Sequence, residues 1–350
     1  MEFAHCFNIK KTALAGLSLE ELTDMLKPLP AFRAKQIFRW LMRGVRSFND
    51  MTDISFAVRE ALEKRFSLYS SVISQRLSDN DGTVKIQLAL EDGRTIESVL
   101  LSDGKERKTA CISTQVGCAM GCVFCKTGRI GFKRNVSAGE IIEQFLHLRS
   151  IAAFSNVVIM GMGEPLLNLP ALREALAFVS GGGIGVAGGA FSKRRITVST
   201  GGITAGICDL ADNGPDIRLA VSLTTADESL REKLMPVTKT NPLPLLKKAL
   251  LYYQRKNLNR ITLEAALLRN INTSRKHVDL LAEFAQGLDV AVNVIPWNPV
   301  AGLRFEGAPL QEPEKAEVEQ FIAALQRKGV NVTARFKKGR GVAGACGQLG

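Results

Sequence analysis

Three cysteines stand in a C-x3-C-x2-C array within 115-QVGCAMGCVFCKTG-128: Cys118, Cys122 and Cys125. A loop this tight can aim three thiolates at one metal centre. A closed structural zinc site or an ordinary iron–sulfur cluster takes four protein ligands. A centre held by three leaves an iron open to a substrate or cofactor. A zinc loop completed by a distant fourth ligand also fits the spacing, as does chance. The chain has seven cysteines, an odd count with uneven spacing. That suits a reduced compartment with metal or redox chemistry better than a disulfide framework.

Other residues could serve a ligand bound beside such a centre. In 161-GMGEPLLN-168 the glycines, Gly163 among them, let a ligand amine approach backbone carbonyls, and Glu164 adds a carboxylate. A plain turn has the same composition. Ser199, Ser222 in 222-SLTTAD-227, and Asn298 in 296-PWNP-299 offer groups for ribose or carboxylate oxygens. Ordinary turn and cap residues share those types. A lone cysteine is more often inert and buried, and Cys6 and Cys208 are read that way. His5, His147 and His277 have no spacing that makes a site.

These residues need a scaffold. Strand-like runs recur at 109-TACIST-114, 157-VVIM-160, 196-ITVS-199, 217-IRLAVSL-223, 261-ITLEAAL-267 and 290-VAVNVIP-296. Helical patterns such as 138-AGEIIEQFLHLRS-150 and 276-KHVDLLAEFAQG-287 lie between them. Six such units predict an α/β chain with a parallel sheet and helices on its outer face. In parallel α/β barrels chemistry sits at the C-terminal ends of strands, where the candidate residues fall. Ahead of these units, 84-VKIQLAL-90 and 95-TIESVLL-101 around 91-EDGR-94 predict a hairpin. Residues 1–75 read as helical, with a capping box at Ser18 and Glu21 and helices over 18–26, 32–46 and 56–66. The expected organisation is a small basic accessory domain, 1–75, and a catalytic domain, 76–350.

With 350 residues, 46% of them hydrophobic, the chain can bury a large core. No apolar run reaches the ~20 residues that span a bilayer. The N-terminus lacks a signal pattern, so a cytoplasmic protein is expected. The net charge is +12, which points to a polyanionic partner. Its distribution strengthens the point. Arg33, Lys35, Arg39, Arg43 and Arg46 cluster in 32–46, and Lys105, Arg107 and Lys108 precede the cysteine loop. Lys193, Arg194 and Arg195 precede a strand, and Arg335, Lys337, Lys338 and Arg340 lie near the end. Each run alone could be a solvated face; together they favour nucleic acid.

The cysteine array, with Phe124 before its last member and GMGEP after it, resembles the signature of radical S-adenosylmethionine (SAM) enzymes. The wider words 111-CISTQVGCAMGCVFC-125, 193-KRRITVSTGG-202, 294-VIPWNP-299 and 344-GACGQL-349 extend the match over nearly the whole chain. Together they resemble the radical SAM adenosine methyltransferases of ribosomal and transfer RNA, specifically the dual-specificity adenine-C2 group. A related adenine-C8 enzyme confers chloramphenicol and florfenicol resistance. The resemblance implies a partial six-unit (β/α) barrel and a [4Fe–4S] cluster on Cys118, Cys122 and Cys125, with SAM on the remaining iron. It implies cofactor contacts from Gly163, Glu164, Ser199, Ser222, Leu223, Thr224 and Asn298. It also implies two SAM molecules per turnover. Cys346 takes a methyl group from the first, and a 5′-deoxyadenosyl radical from the second removes hydrogen from that S-methyl group. The methylene radical then adds to the adenine carbon, C2 favoured over C8. Cys111 resolves the adduct and leaves a disulfide, and Glu97, in a TIE-S-V word, serves as base. The implied partners are rRNA, tRNA as a further substrate, and an electron donor such as flavodoxin or ferredoxin, with the enzyme a monomer.

The chain departs from this pattern in three places. Gly341 and Val342 stand where an Asp-Ile pair is usual, Thr224 stands where relatives carry His, and 181-GGGIGVAGG-189 is unusually rich in glycine. Two other readings remain open on the residues alone. One is a radical SAM enzyme acting on a protein or small molecule. The other is an RNA-binding protein with a structural metal loop.

Overall fold

The structure, a computed structural model, describes residues 11–103, 107–181, 192–334 and 338–350. His5, Cys6, Lys105, Arg335, Lys337 and the glycine-rich residues 182–189 lie outside the described residues. Helix α1, Leu19–Met25, starts at the expected capping box. Ser18 Oγ accepts from the Glu21 N–H at 3.2 Å, and Glu21 Oε2 accepts from the Ser18 N–H at 2.8 Å. Helix α2, Ala31–Met42, buries Ala34, Ile37 and Leu41 and leaves Lys35 and Arg39 exposed. It ends four residues before the expected boundary. A Cβ at Gly44 would lie 2.5 Å from Leu146 O, so the chain must turn there to pass the neighbouring helix. Arg43 therefore caps α2, and Arg46 lies beyond it and donates to Ser150 O at 2.7 Å. Helix α3, Phe56–Arg65, leads into a two-residue parallel pairing of Phe66–Ser67 with Thr12–Ala13, which ties off this unit.

The main sheet has ten strands, and their spatial order follows the chain. Strands β1 (Val72–Ser78), β2 (Val84–Ala89) and β3 (Thr95–Ser102) are antiparallel, and β3 pairs antiparallel with β4 (Lys108–Cys111). From β4 the sheet is parallel through β5 (Asn156–Ile159), β6 (Ile196–Thr200), β7 (Arg218–Ser222), β8 (Ile261–Leu267) and β9 (Val290–Pro296). These are the six expected strands of a partial barrel. A short β10, Val332–Ala334, adds a parallel edge, and β1 adds a third strand to the expected hairpin. Neither was visible as a pattern. β10 has three residues, and β1 is mostly exposed, with polar residues where an apolar face would alternate.

Helix α4, Ala138–Ile151, joins the helical unit to the sheet. Its Glu143 accepts from the N–H groups of Ser70 and Ser71 at 2.6 and 2.8 Å, and also from the Ser71 hydroxyl. His147 Nε2 lies 3.1 Å from Ser71 Oγ, and the ring packs 4.4 Å from Tyr69. Burial pushes the His147 imidazole down to about 4 from 6.5. Above about pH 6.5 the ring is neutral folded and unfolded. As pH falls toward about 4, the unfolded chain takes a proton that the folded chain refuses. Stability should drop across that window, by at most about 1.4 kcal/mol per pH unit. Urea midpoints of the wild type and His147→Gln, measured from pH 7 to 4, should diverge. Glu143, whose carboxyl burial pushes up, is present in both proteins. Parallel curves would contradict the assignment.

Candidate active site

The loop after β4 carries the three cysteines to the C-terminal ends of the strands. A two-residue pairing of Gln115–Val116 with Arg134–Asn135 closes its base. Its tip is pinned from three directions: Val123 N–H to Leu234 O at 3.0 Å, Trp297 Nε1 to Phe124 O at 2.9 Å, and Lys126 N–H to Gly347 O at 2.8 Å. Cys118, Cys122 and Cys125 all line one cavity of about 180 Å³. Three thiols around one cavity can each take a separate iron of a cluster. Burial pushes the Cys118 thiol up to about 12 and the Cys122 thiol well above its ordinary range, and neighbouring thiols push the same way. A bound cation reverses that balance, because it favours the deprotonated ligand.

The walls of this cavity come from the strand ends. Gly163 has φ 102°, and a Cβ there would meet Gln115 Cβ at 2.5 Å, so glycine is required. Glu164 is buried; its Oε1 accepts from the Leu166 N–H at 3.0 Å and its Oε2 from the Gly201 N–H at 2.7 Å. Burial raises its carboxyl, and these donors oppose the rise. Ser199, Ser222, Thr224 and Asn298 line the same cavity. Thr224 is a β-branched residue at φ 63°, a strained conformation held by Asn272 Nδ2, which donates to Thr224 O at 2.9 Å. Leu223 differs. It is fully buried, is not among the lining residues, and contributes only its backbone, through its N–H to Glu264 O and its carbonyl to Arg231.

Two residues here were not anticipated. Glu264 on β8 lines the cavity and accepts from Ser199 Oγ at 3.0 Å through Oε2, while its buried Oε1 has no hydrogen-bond partner. Asn298 Oδ1 is likewise buried and unpartnered. Orphaned buried acceptors are rare. Here they fit a ligand rich in donors, as SAM is through its ammonium and ribose hydroxyls. An acidic residue inside the apolar run 261-ITLEAAL-267 was the signal that could have revealed Glu264. Arg231 is fully buried and donates to Gly201 O, Leu223 O and Thr238 Oγ1 at 2.7, 3.1 and 2.7 Å, bracing the ends of β6 and β7.

A second cavity, about 700 Å³, follows the inner face of the sheet. Cys111 on β4 lines it, and Cys346 lines both cavities. Arg107, Arg194, Arg195, Arg218 and Lys338 also line it, a basic surface suited to phosphate. None of the six described cysteines is in a disulfide, so the Cys111–Cys346 bond implied by the resemblance is not present.

Residues 112–281 match the family described as the Radical SAM superfamily, and residues 12–68 match the ribosomal RNA large subunit methyltransferase N-terminal domain. A Treponema denticola protein named as a probable dual-specificity RNA methyltransferase RlmN is 50% identical over 341 residues, covering 97% of this chain and 96% of the relative. The chain belongs to the RlmN family of radical SAM RNA methyltransferases. A Rhodopirellula baltica relative of the same name is 42% identical, with 97% and 91% of the two chains covered. The crystal structure of a radical SAM methyltransferase from Sphaerobacter thermophilus superposes with a TM-score of 0.86 at 34% identity, covering 97% and 99%. The RlmN-type enzyme thus uses a [4Fe–4S] cluster and SAM and acts on RNA. The other two readings, a non-RNA substrate and a binding module, fall away. No helix among the described residues is long and apolar enough to cross a membrane.

Two features of this RlmN-family chain stand apart from the expected pattern. Glu97 lines neither cavity. It is buried in an ion pair with Lys85 at 2.9 Å, and its Oε2 accepts from the Gly350 N–H at 2.8 Å. Its carboxylate therefore clasps the C-terminal loop. At Gly341, a Cβ would lie 2.7 Å from Asp79 Oδ1. An aspartate there would crowd a second carboxylate against the first.

Proposed function

We propose that this enzyme methylates C2 of an adenine in ribosomal RNA, with transfer RNA as a second substrate, through an S-methylated Cys346. One observation carries the reading: Cys346 lines both the thiol-ringed cavity and the basic cavity. A methyl carrier must meet SAM on one side and the nucleotide on the other. Adenine C2 is electron-poor and has no lone pair, so it cannot itself displace the methyl group of SAM. The Cys346 thiolate can, giving a thioether and S-adenosylhomocysteine. The cluster, when bound, supplies the electron that cleaves a second SAM. Glu164, Glu264 and Asn298 hold that SAM through its donors. Cys346 then presents its S-methyl group for hydrogen abstraction and delivers the carbon to C2. Glu97 is the proposed base for the ring proton, and to reach the ring it must give up Gly350. Cys111 lines the same cavity as Cys346. The adduct returns one electron to the oxidised flavodoxin or ferredoxin as it loses the ring proton. The Cys111 thiolate then attacks the Cys346 sulfur, and the carbon–sulfur bond breaks with its pair on carbon. A proton there completes the methyl group and leaves the two cysteines disulfide-bonded.

Arg107, Arg194, Arg195, Arg218 and Lys338 are the proposed phosphate contacts at the cavity. Exposed Lys35, Arg39 and Arg43 extend them on the accessory domain, residues 1–75, which precedes the catalytic domain, 76–350. An RNA substrate suits a cytoplasmic enzyme, here a monomer fed by flavodoxin or ferredoxin. Mass spectrometry with chromatography of nucleosides, from RNA of cells with and without the gene, tests the reading. We expect gene-dependent 2-methyladenosine. Gene-dependent 8-methyladenosine would move the target carbon, and no gene-dependent methyladenosine would overturn the reading.

A further inference from the structure

Described residues 338–350 carry Cys346 on turns and bends, without helix or strand. Such a segment loses much chain entropy when it holds one thiol in one place, so the contacts that fix it decide where Cys346 stands. Some come from the cofactor side: Asn298 Nδ2 donates to Cys346 O at 3.1 Å, and Thr127 Oγ1 to Leu349 O at 2.6 Å. Others come from the turn between β1 and β2, 79-DNDGT-83. Asp79 Oδ2 accepts from the Gly341 N–H at 2.9 Å, and Asp81 Oδ2 from the Gly339 N–H at 2.9 Å. The second oxygen of each carboxylate is used inside the turn. Asp79 Oδ1 accepts from the Asn80 N–H at 2.7 Å, and Asp81 Oδ1 from the Thr83 N–H at 2.8 Å. Both carboxylates are therefore oriented before the loop arrives. The fit is close: a Cβ on Gly339 would lie 2.9 Å from Thr83 Cγ2, and the nearest atoms to one on Gly341 are those of Asp79, at 2.7–3.2 Å. Further along the same hairpin, Lys85 Nζ donates to Ala343 O at 3.3 Å.

We propose that Asp79 and Asp81 are positioning residues, a two-carboxylate latch by which the β1–β2 turn seats the Cys346 loop between the two cavities. Asp81 is exposed and Asp79 half-buried, so the latch biases the loop without locking it. The consequence for catalysis rests on Cys346 as methyl carrier; the seating itself does not.

The test compares wild-type holoenzyme with the Asp79→Ala, Asp81→Ala double variant. Maleimide alkylation of Cys346 is followed by peptide mass spectrometry, and methyl incorporation from labelled SAM is followed separately. The double variant should alkylate several-fold faster at Cys346 and methylate it several-fold more slowly. Iron content and reductive SAM cleavage without RNA should be unchanged. Asp79→Asn with Asp81→Asn keeps acceptor oxygens and should restore most of the seating. Gly341→Ala should mimic Asp79→Ala and add little in an Asp79→Ala background, because the nearest atoms its new Cβ meets are those of Asp79. An unchanged alkylation rate in the double-alanine variant would overturn the proposal, as would a parallel loss of iron and melting temperature. Faster alkylation with undiminished methyl incorporation would uphold the latch and contradict the methyl-carrier reading.

Discussion

Replacing Cys346 with alanine should abolish transfer of the SAM methyl group to both protein and RNA. Activity should fall to background, below roughly one part in a thousand of wild type, because later steps have no route around a missing carrier. The substitution should leave the rest of the site in place. Asn298 binds the Cys346 carbonyl, which alanine keeps, and the cluster thiols lie on another loop. Reductive SAM cleavage without RNA should therefore persist. Cys111→Ala should fail later. Cys346 can still be methylated and still add to the adenine, but the resolving thiol is gone. A covalent protein–RNA species should accumulate, visible on a denaturing gel and removed by ribonuclease. RNA methylation by the Cys346→Ala enzyme would dismiss the carrier.

Serine at any one of Cys118, Cys122 or Cys125 should cost about as much as serine at all three. Each thiolate is expected to hold a separate iron, and a hydroxyl is a poor substitute for a soft sulfur ligand. Groups that act as a unit give such non-additive losses. Anaerobically reconstituted wild type should hold about four irons per chain with matching sulfide. Each single variant should lose most of that iron and its reductive SAM cleavage. A wild-type chain that instead takes up one tightly held zinc, with no iron spectrum that responds to SAM, would sink the assignment.

Much of this site was legible because its signals are local. Cys118, Cys122 and Cys125 lie within one short loop, and each strand end brings its own short word to the cavity. The six parallel strands were legible because buried parallel strands are nearly continuous apolar runs. What the sequence hid depends on partners distant in the chain. Glu97 keeps its proposed role as base, but its contacts with Lys85 and Gly350 join segments far apart in the chain. Arg231, in the short helix Glu228–Leu234, braces two strand ends from inside. Nothing in the run 79–83 announces that its carboxylates meet Gly339 and Gly341. The end of α2 was misplaced because the constraint on Gly44 is a carbonyl on another helix.

The central claim is that the transferred carbon passes through a Cys346 thioether and loses a hydrogen there. SAM carrying a fully deuteriated methyl group tests it most directly, with the modified nucleoside and the released 5′-deoxyadenosine both weighed by mass spectrometry. Hydrogen abstraction from the S-methyl group moves one deuterium to 5′-deoxyadenosine and leaves two on the carbon that reaches RNA. The account predicts a methyladenosine with two deuterium atoms in its methyl group, formed together with singly deuteriated 5′-deoxyadenosine. A methyl group that keeps all three would mean direct transfer and would contradict it.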